Sequence, residues 1–235
     1  MSGRLRRIWG RIRYGGIDYL LTAFASYLPD CLLDYHHVLL FIQERRQGSY
    51  PFRHADRIVL FDQNDIEKLA PMIGRPQEKL QENFDRGDIC CGVVDKDRLL
   101  SYKWARTSPT RLGAESMYTL LDPGRDGFYM HSDFTVPEAR RQGMSLACTE
   151  SLFRHFAPAG RTQMYAAVEP CNAASHELHR RHGSKVVGET FYVCLLGLRW
   201  VYRRSWPTQV ERFERIHGRR SGSQTHTDTK QTGKG

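Results

Sequence analysis

Residues 134–156 change period within one stretch. Phe134, Thr135 and Val136 end an aromatic and β-branched run at Pro137, which cannot donate to a strand ladder. After Gly143 the apolar positions fall at Met144, Cys148, Leu152 and Phe156, a four-residue step along one helix face. The pattern predicts strand, glycine-bearing loop, helix. Upstream it predicts helices over Tyr19–Tyr27 and Leu32–Glu44, a strand over Arg57–Phe61, and helices over Asp65–Met72 and Gln77–Phe84. Asp88–Val94 and Arg98–Ala105 read as a hairpin turning at Asp95-Lys96-Asp97, and Ser108–Gly127 is rich in turn residues. Downstream come a strand over Met164–Val168, a helix over Asn172–His182, and strands over Lys185–Val193 and Leu196–Tyr202. This order predicts a mixed α/β sheet with covered faces, not a helical bundle or a sandwich.

Such a strand-to-helix handover leaves backbone N–H groups unpaired at the helix start. With the helix dipole behind them, they favour a bound anion such as phosphate. Charge narrows the partner. The formal net charge is +9, but residues 1–14 contribute five arginines and no acids, and residues 218–235 contribute +3. The intervening segment is nearly neutral, which argues against a folded domain built for nucleic acid. Residues 1–14 place Leu5, Ile8, Trp9 and Ile12 at helical spacing among the arginines. That reads either as a helix packed on its own domain or as a peripheral contact with an anionic membrane surface. The six cysteines form no C-x-x-C pair and no zinc spacing, so reduced thiols in a cytoplasmic protein and no metal are expected. Cys90 and Cys91, adjacent in a strand, should point to opposite faces.

Arg140-Arg141-Gln142-Gly143-Met144-Ser145, directly after the strand end, resembles the acyl-CoA loop [QR]-x-x-G-x-[GA] of the GNAT acyltransferases, with Ser145 at the last small position. Val168–Gly188 resembles that family's second signature, a strand leading to N-x-x-[AS] on a helix that ends at glycine. Asn172, Ser175, Leu178 and Gly183 take the matching positions. The resemblance covers roughly residues 55–203. It implies an α/β (α+β) fold with a mixed, mostly antiparallel central sheet, helices on both faces and a splayed strand pair. The expected organisation is an N-terminal helical extension over 1–50, basic at 1–14, the acyltransferase domain over 51–205 and a basic C-terminal segment, helical or disordered, over 206–235.

The resemblance also implies acetyl-CoA or another acyl-CoA as co-substrate. Backbone groups of Phe134, Thr135 and Val136 would pair with its pantetheine arm. The loop Arg140, Arg141, Gln142, Gly143, Met144, Ser145 and Leu146 would hold its pyrophosphate, and Asn172 and Ser175 would also bind the cofactor. The acceptor would be the primary amine of a small molecule such as an amino sugar or amino acid. Acyl transfer to an amine needs a base, because an ammonium has no lone pair to attack with. It also needs a donor for the oxyanion, most simply a backbone N–H near Phe134 or Thr135. Tyr129 stands where family members often carry glutamate. Three other candidates for the base remain: His131, with Asp133 on the same strand face if no bulge breaks the alternation, Asp133 itself, and Glu169. For the acid, His179 stands where the family commonly has a tyrosine. Two rival readings stay open: a catalytically inactive acyl-CoA-binding scaffold, and a membrane-surface acyltransferase acting on an envelope precursor.

Overall fold

The computed structural model describes residues 16, 20, 21, 23–25, 27–29, 32–45, 54–114, 117–205, 213 and 214. In chain order the elements are β1 (Leu33–Glu44), β2 (Ile58–Phe61), α1 (Ile66–Ile73), α2 (Gln77–Asp85), β3 (Ile89–Asp95) and β4 (Arg98–Arg106). They continue with β5 (Thr110–Ala114), β6 (Met117–Leu121), β7 (Gly127–Thr135), α3 (Met144–Phe156), β8 (Gln163–Val168) and α4 (Ala173–Arg181). The last are β9 (Lys185–Leu195), β10 (Leu198–Ser205) and β11 (Phe213–Glu214). Eight strands form one sheet in the order β10-β9-β1-β8-β7-β4-β3-β2, and β11-β6-β5 form a second. Within the large sheet the β7–β8 pair is parallel and the others are antiparallel. This is the mixed, mostly antiparallel architecture expected.

The helix predicted over Leu32–Glu44 is instead strand β1, held between β8 and β9 in the middle of the sheet. Its run Val38-Leu39-Leu40-Phe41-Ile42 is apolar because both sheet faces are covered there. Such a run carries no two-residue alternation to distinguish it from a buried helix. Phe41 packs with Leu39 in the core under α3, whereas Leu40 and Ile42 join Leu112, Leu121 and Tyr165 in the core on the other side. The sheet thus begins within the segment assigned to the helical extension. Ser108–Gly127, read as turns, contains the β5–β6 hairpin. That hairpin is anchored because Leu112 and Leu121 are buried and the Tyr192 hydroxyl donates to Leu112 O. The predicted helix over residues 1–14 and most of the tail lie outside the described residues.

Two layers of helix cover the sheet. Met144, Cys148, Leu152 and Phe156 of α3, the four positions at helical spacing, are all buried against Cys91, Phe128, Met130, Met164 and Ala166. On the opposite face Ile66, Leu69 and Leu80 of α1 and α2 pack on Cys90, Tyr102 and Trp104. Cys90 and Cys91 do point to opposite faces.

Candidate active site

The site forms where two central strands part. β7 pairs with β8 from Gly127 to Met130, the last matched residues being Met130 and Ala166. Beyond that fork Ala167 and Val168 pair only with β1, while β7 stays with β4 as far as Thr135 opposite Ser101. On the α3 face of the fork lies a cavity of about 750 Å³, lined by Asp133, Phe134 and Thr135 of β7, the α3 N-terminus, and one side of α4. Its size is that of small-molecule sites, roughly 300–1,000 Å³.

The loop between β7 and α3 has the geometry of an anion cradle. Arg141 (φ 61°) and Gly143 (φ 83°) both take left-handed backbone, which turns the chain sharply into the helix. The Ala147 N–H donates to Gly143 O at 2.9 Å and opens the helical ladder, so the amides preceding it on the helix have no turn before them to pair with. Arg140, Arg141, Gly143, Met144, Ser145 and Leu146 all line the cavity, and Ser145 Oγ is buried there without a protein partner. Arg140 ties the loop to the strand, its Nε donating to Thr135 O at 3.2 Å. Gln142 departs from expectation. Its side-chain Nε2 donates to Glu138 O and its backbone carbonyl accepts from His54 Nε2 at 3.0 Å, and it does not line the cavity. Val136 likewise lies outside the lining, its N–H donating to Leu100 O. Across the cavity Asn172 caps α4, its Oδ1 accepting from Ser175 N–H at 3.2 Å, and both residues line the wall.

These residues fit an acyl-CoA. Unpaired amides and two arginines suit a diphosphate, Ser145 Oγ is an unused hydroxyl, and the parted strand offers backbone groups to an extended amide-bearing arm. Among the described residues no cluster of His, Cys, Asp and Glu is arranged to hold a metal.

The proposed base residues do not share a face. β7 carries a bulge: His131 lies opposite Trp104 and Phe134 opposite Tyr102, leaving Ser132 and Asp133 together opposite Lys103, with Ser132 at φ 47°. One extra residue reverses the alternation. Asp133 therefore lies on the α3 face, its Oδ2 3.3 Å from Nζ of the buried Lys103, which also approaches Met130 Sδ. The charge of Lys103 holds the Asp133 carboxyl below the ordinary carboxylate range, against the effect of burial. His131 lies on the opposite face between the rings of Tyr129 and Trp104. The expected His131–Asp133 pairing is thus corrected.

The partner of His131 is Asp88, which sequence reading missed. His131 Nε2 lies 3.1 Å from Asp88 Oδ2, and Arg106 grips both Asp88 oxygens at 2.6 Å while its Nη1 donates to Thr110. Asp88 is buried. Desolvation raises its pKa, but the hydrogen bonds from Arg106 and His131 outweigh it and leave the carboxyl below the usual value. Because a carboxylate only accepts, His131 Nε2 donates to it, and in the neutral ring Nδ1, 3.3 Å from Ser132 Oγ, is then the acceptor nitrogen. Burial pushes the Tyr129 phenol up to about 12, so it stays protonated.

The remaining candidates stand apart. Glu169 is exposed beyond the end of β8, beside Cys171. His179 is 3% exposed, stacked on Phe41 with Nδ1 near Ser184 Oγ, and does not line the cavity. Burial, with Lys103 nearby, pushes its pKa down to about 4, so it is neutral at pH 7.

No family model and no curated protein matches the chain. Among solved structures it is similar to a protein of Novosphingobium aromaticivorans assigned to the GNAT family of acetyltransferases. That match has a TM-score of 0.50 and 15% identity, over 67% of this chain and 63% of the other. An aminoglycoside acetyltransferase from an uncultured soil metagenomic sample, in complex with sisomicin, matches at TM-score 0.41 and 12% identity, over 53% and 85%. The chain spans less than two thirds of the Novosphingobium protein. The parted strands, the loop at the α3 N-terminus and the first of these similarities give one conclusion: this chain has the fold of the GNAT acetyltransferases.

Proposed function

We propose that the protein transfers an acetyl or related acyl group from acyl-CoA to the primary amine of a small molecule. The observation that carries this reading is the fork after Met130, with a cavity and an amide-rich helix N-terminus on one face and a histidine on the other. When bound, acyl-CoA supplies a thioester carbonyl for the amine to attack. The amides of Gly143 to Leu146, with Arg140, Arg141 and Ser145 Oγ, hold the diphosphate, and Phe134 and Thr135 meet the extended arm with their backbone. Asn172 and Ser175 form the opposite wall.

His131 is the base. It is the first β7 residue beyond the fork, and its Nδ1 is left to accept a proton from the incoming ammonium. Asp88, locked by Arg106, orients the ring and stabilises the imidazolium that forms. Asp133, held ionised by Lys103, is the weaker base. An N–H on the edge of β7 that β8 leaves beyond the fork serves the oxyanion. The acceptor amine, of the amino-sugar or amino-acid class, approaches from the His131 face.

Thiol release from acetyl-CoA, measured against a panel of amino sugars and amino acids, tests this. Turnover with at least one amine is expected, and His131→Gln should lower kcat by about 10²–10⁴ with KM for acetyl-CoA nearly unchanged. Binding of acetyl-CoA without turnover by any amine would leave a non-catalytic acyl-CoA binder. Full activity in the variant would remove His131 from the chemistry.

A further inference from the structure

The turn between β9 and β10 is built from residues that neither the fold nor the proposed chemistry requires. Leu195 pairs with Leu198 across a two-residue loop in which Leu196 has φ 50° and Gly197 φ 79°. Positive φ at both positions is the type I′ hairpin turn, whose first position favours Asn, Asp or Gly and penalises a side chain such as leucine. Leu196 holds that conformation while 72% exposed, so neither turn geometry nor core packing selects it. Leu198 beside it is 62% exposed, and Leu32, whose carbonyl accepts from the Leu196 N–H at 3.0 Å, extends the same apolar tip.

Behind the tip, on the edge strand β10, Trp200 and Tyr202 follow Leu198 at two-residue spacing and are 50% and 57% exposed. The order along the strand is leucine, then tryptophan, then tyrosine. Interfacial elements in bilayers use that gradient, with apolar residues deepest and amphipathic rings at headgroup level. Leu198 to Trp200 spans about 7 Å of strand, within the roughly 5–10 Å to which such elements sink. The charge nearby has the matching sign. Residues 196–205 contain Arg199, Arg203 and Arg204 and no acid. Asp34, near the tip, is engaged by His36 at 3.0 Å. The same arginines disfavour a second copy as occupant, since antiparallel pairing of two β10 edges would bring like charges together. Among the described residues no helix is long and apolar enough to cross a membrane.

We infer that the β9–β10 hairpin tip is a docking site for an anionic lipid surface, with Leu196 and Leu198 entering the bilayer interface and Trp200 and Tyr202 resting at its headgroups. This goes beyond the acyltransferase reading and does not depend on it. Flotation of the full chain with phosphatidylcholine vesicles, with and without phosphatidylglycerol, tests it. Binding to the anionic vesicles that weakens with salt is expected, and Leu196→Asn with Leu198→Thr should reduce it about tenfold or more. Asparagine suits the turn and threonine suits a strand, so this variant keeps the hairpin. Leu196→Glu with Leu198→Glu should abolish binding, and neither variant should change the melting temperature by more than a few degrees. Failure of the parent chain to float, or equal binding by the variants, overturns the inference. So does self-association that the variants break while vesicles are ignored, which would make the tip an interface between copies.

Discussion

Asp88 shows how much one buried carboxylate can organise. Two guanidinium bonds and one imidazole contact satisfy it, and they give His131 a defined tautomer on the face away from the cavity. Signals for this cluster were present in the sequence but incomplete. The predicted turn at Asp95-Lys96-Asp97 nearly sets the register of β3 on β4, yet an irregularity between Val93 and Val94 shifts it by one residue, which brings Arg106 beside Asp88. His179 makes a pH-dependent contribution of its own. Its folded pKa of about 4 lies below the unfolded value of 6.5, so between them the unfolded chain binds more protons and stability rises with pH. Stability should therefore fall on acidification from about pH 6.5 to about pH 4, by at most about 3 kcal/mol from this residue. Urea midpoints at several pH values check it, and His179→Leu should flatten that part of the profile.

At the scale of elements, β7 does most to define the site. Its first half is a paired strand, its middle is a bulge, and its end belongs to β4 alone. The bulge explains why a parity argument that placed His131 and Asp133 together fails, because alternation is reliable only while every residue has one partner. β1 fails for a related reason. An apolar run buried on both faces has lost the period by which strands are read, and what makes it a strand is the β8 and β9 edges on either side. Helix α3 was legible because a single buried face preserves its four-residue step. The start of β7 is tight: a Cβ on Gly127 would meet Pro123 O at 2.5 Å and Tyr165 Cε2 at 2.7 Å. Arg161 holds the same turn, its Nη1 donating to the carbonyls of Gly124 and Gly127. Gly127→Ala should thus cost about 1–3 kcal/mol in urea unfolding, with the fork distorted and acyl-CoA binding weakened in step.

For the whole molecule, ligand binding and folding are linked. The cavity is made jointly by β7, α3 and α4, three separate elements that only the folded sheet holds together, so a ligand that fills it stabilises their association. Acetyl-CoA at about a hundred times its dissociation constant should add about 2.7 kcal/mol and raise the melting temperature by roughly 5–10 °C. Thermal shift measures it, and Ser145→Ala should reduce the shift by removing the unpaired hydroxyl; an unchanged melting temperature with every acyl-CoA tested would remove the cavity's assignment. What could be known from residue order alone was local. The strand–loop–helix handover, the anion-favouring α3 N-terminus, the helix that follows Asn172 and the separation of Cys90 from Cys91 all follow from neighbours within a turn or two. The faces on which the polar residues of β7 lie, the partner of His131, and the place of β1 inside the sheet were settled by pairing register, which joins residues far apart in the chain. One inserted residue in that register exchanges the two sides of a strand, and no local pattern records it.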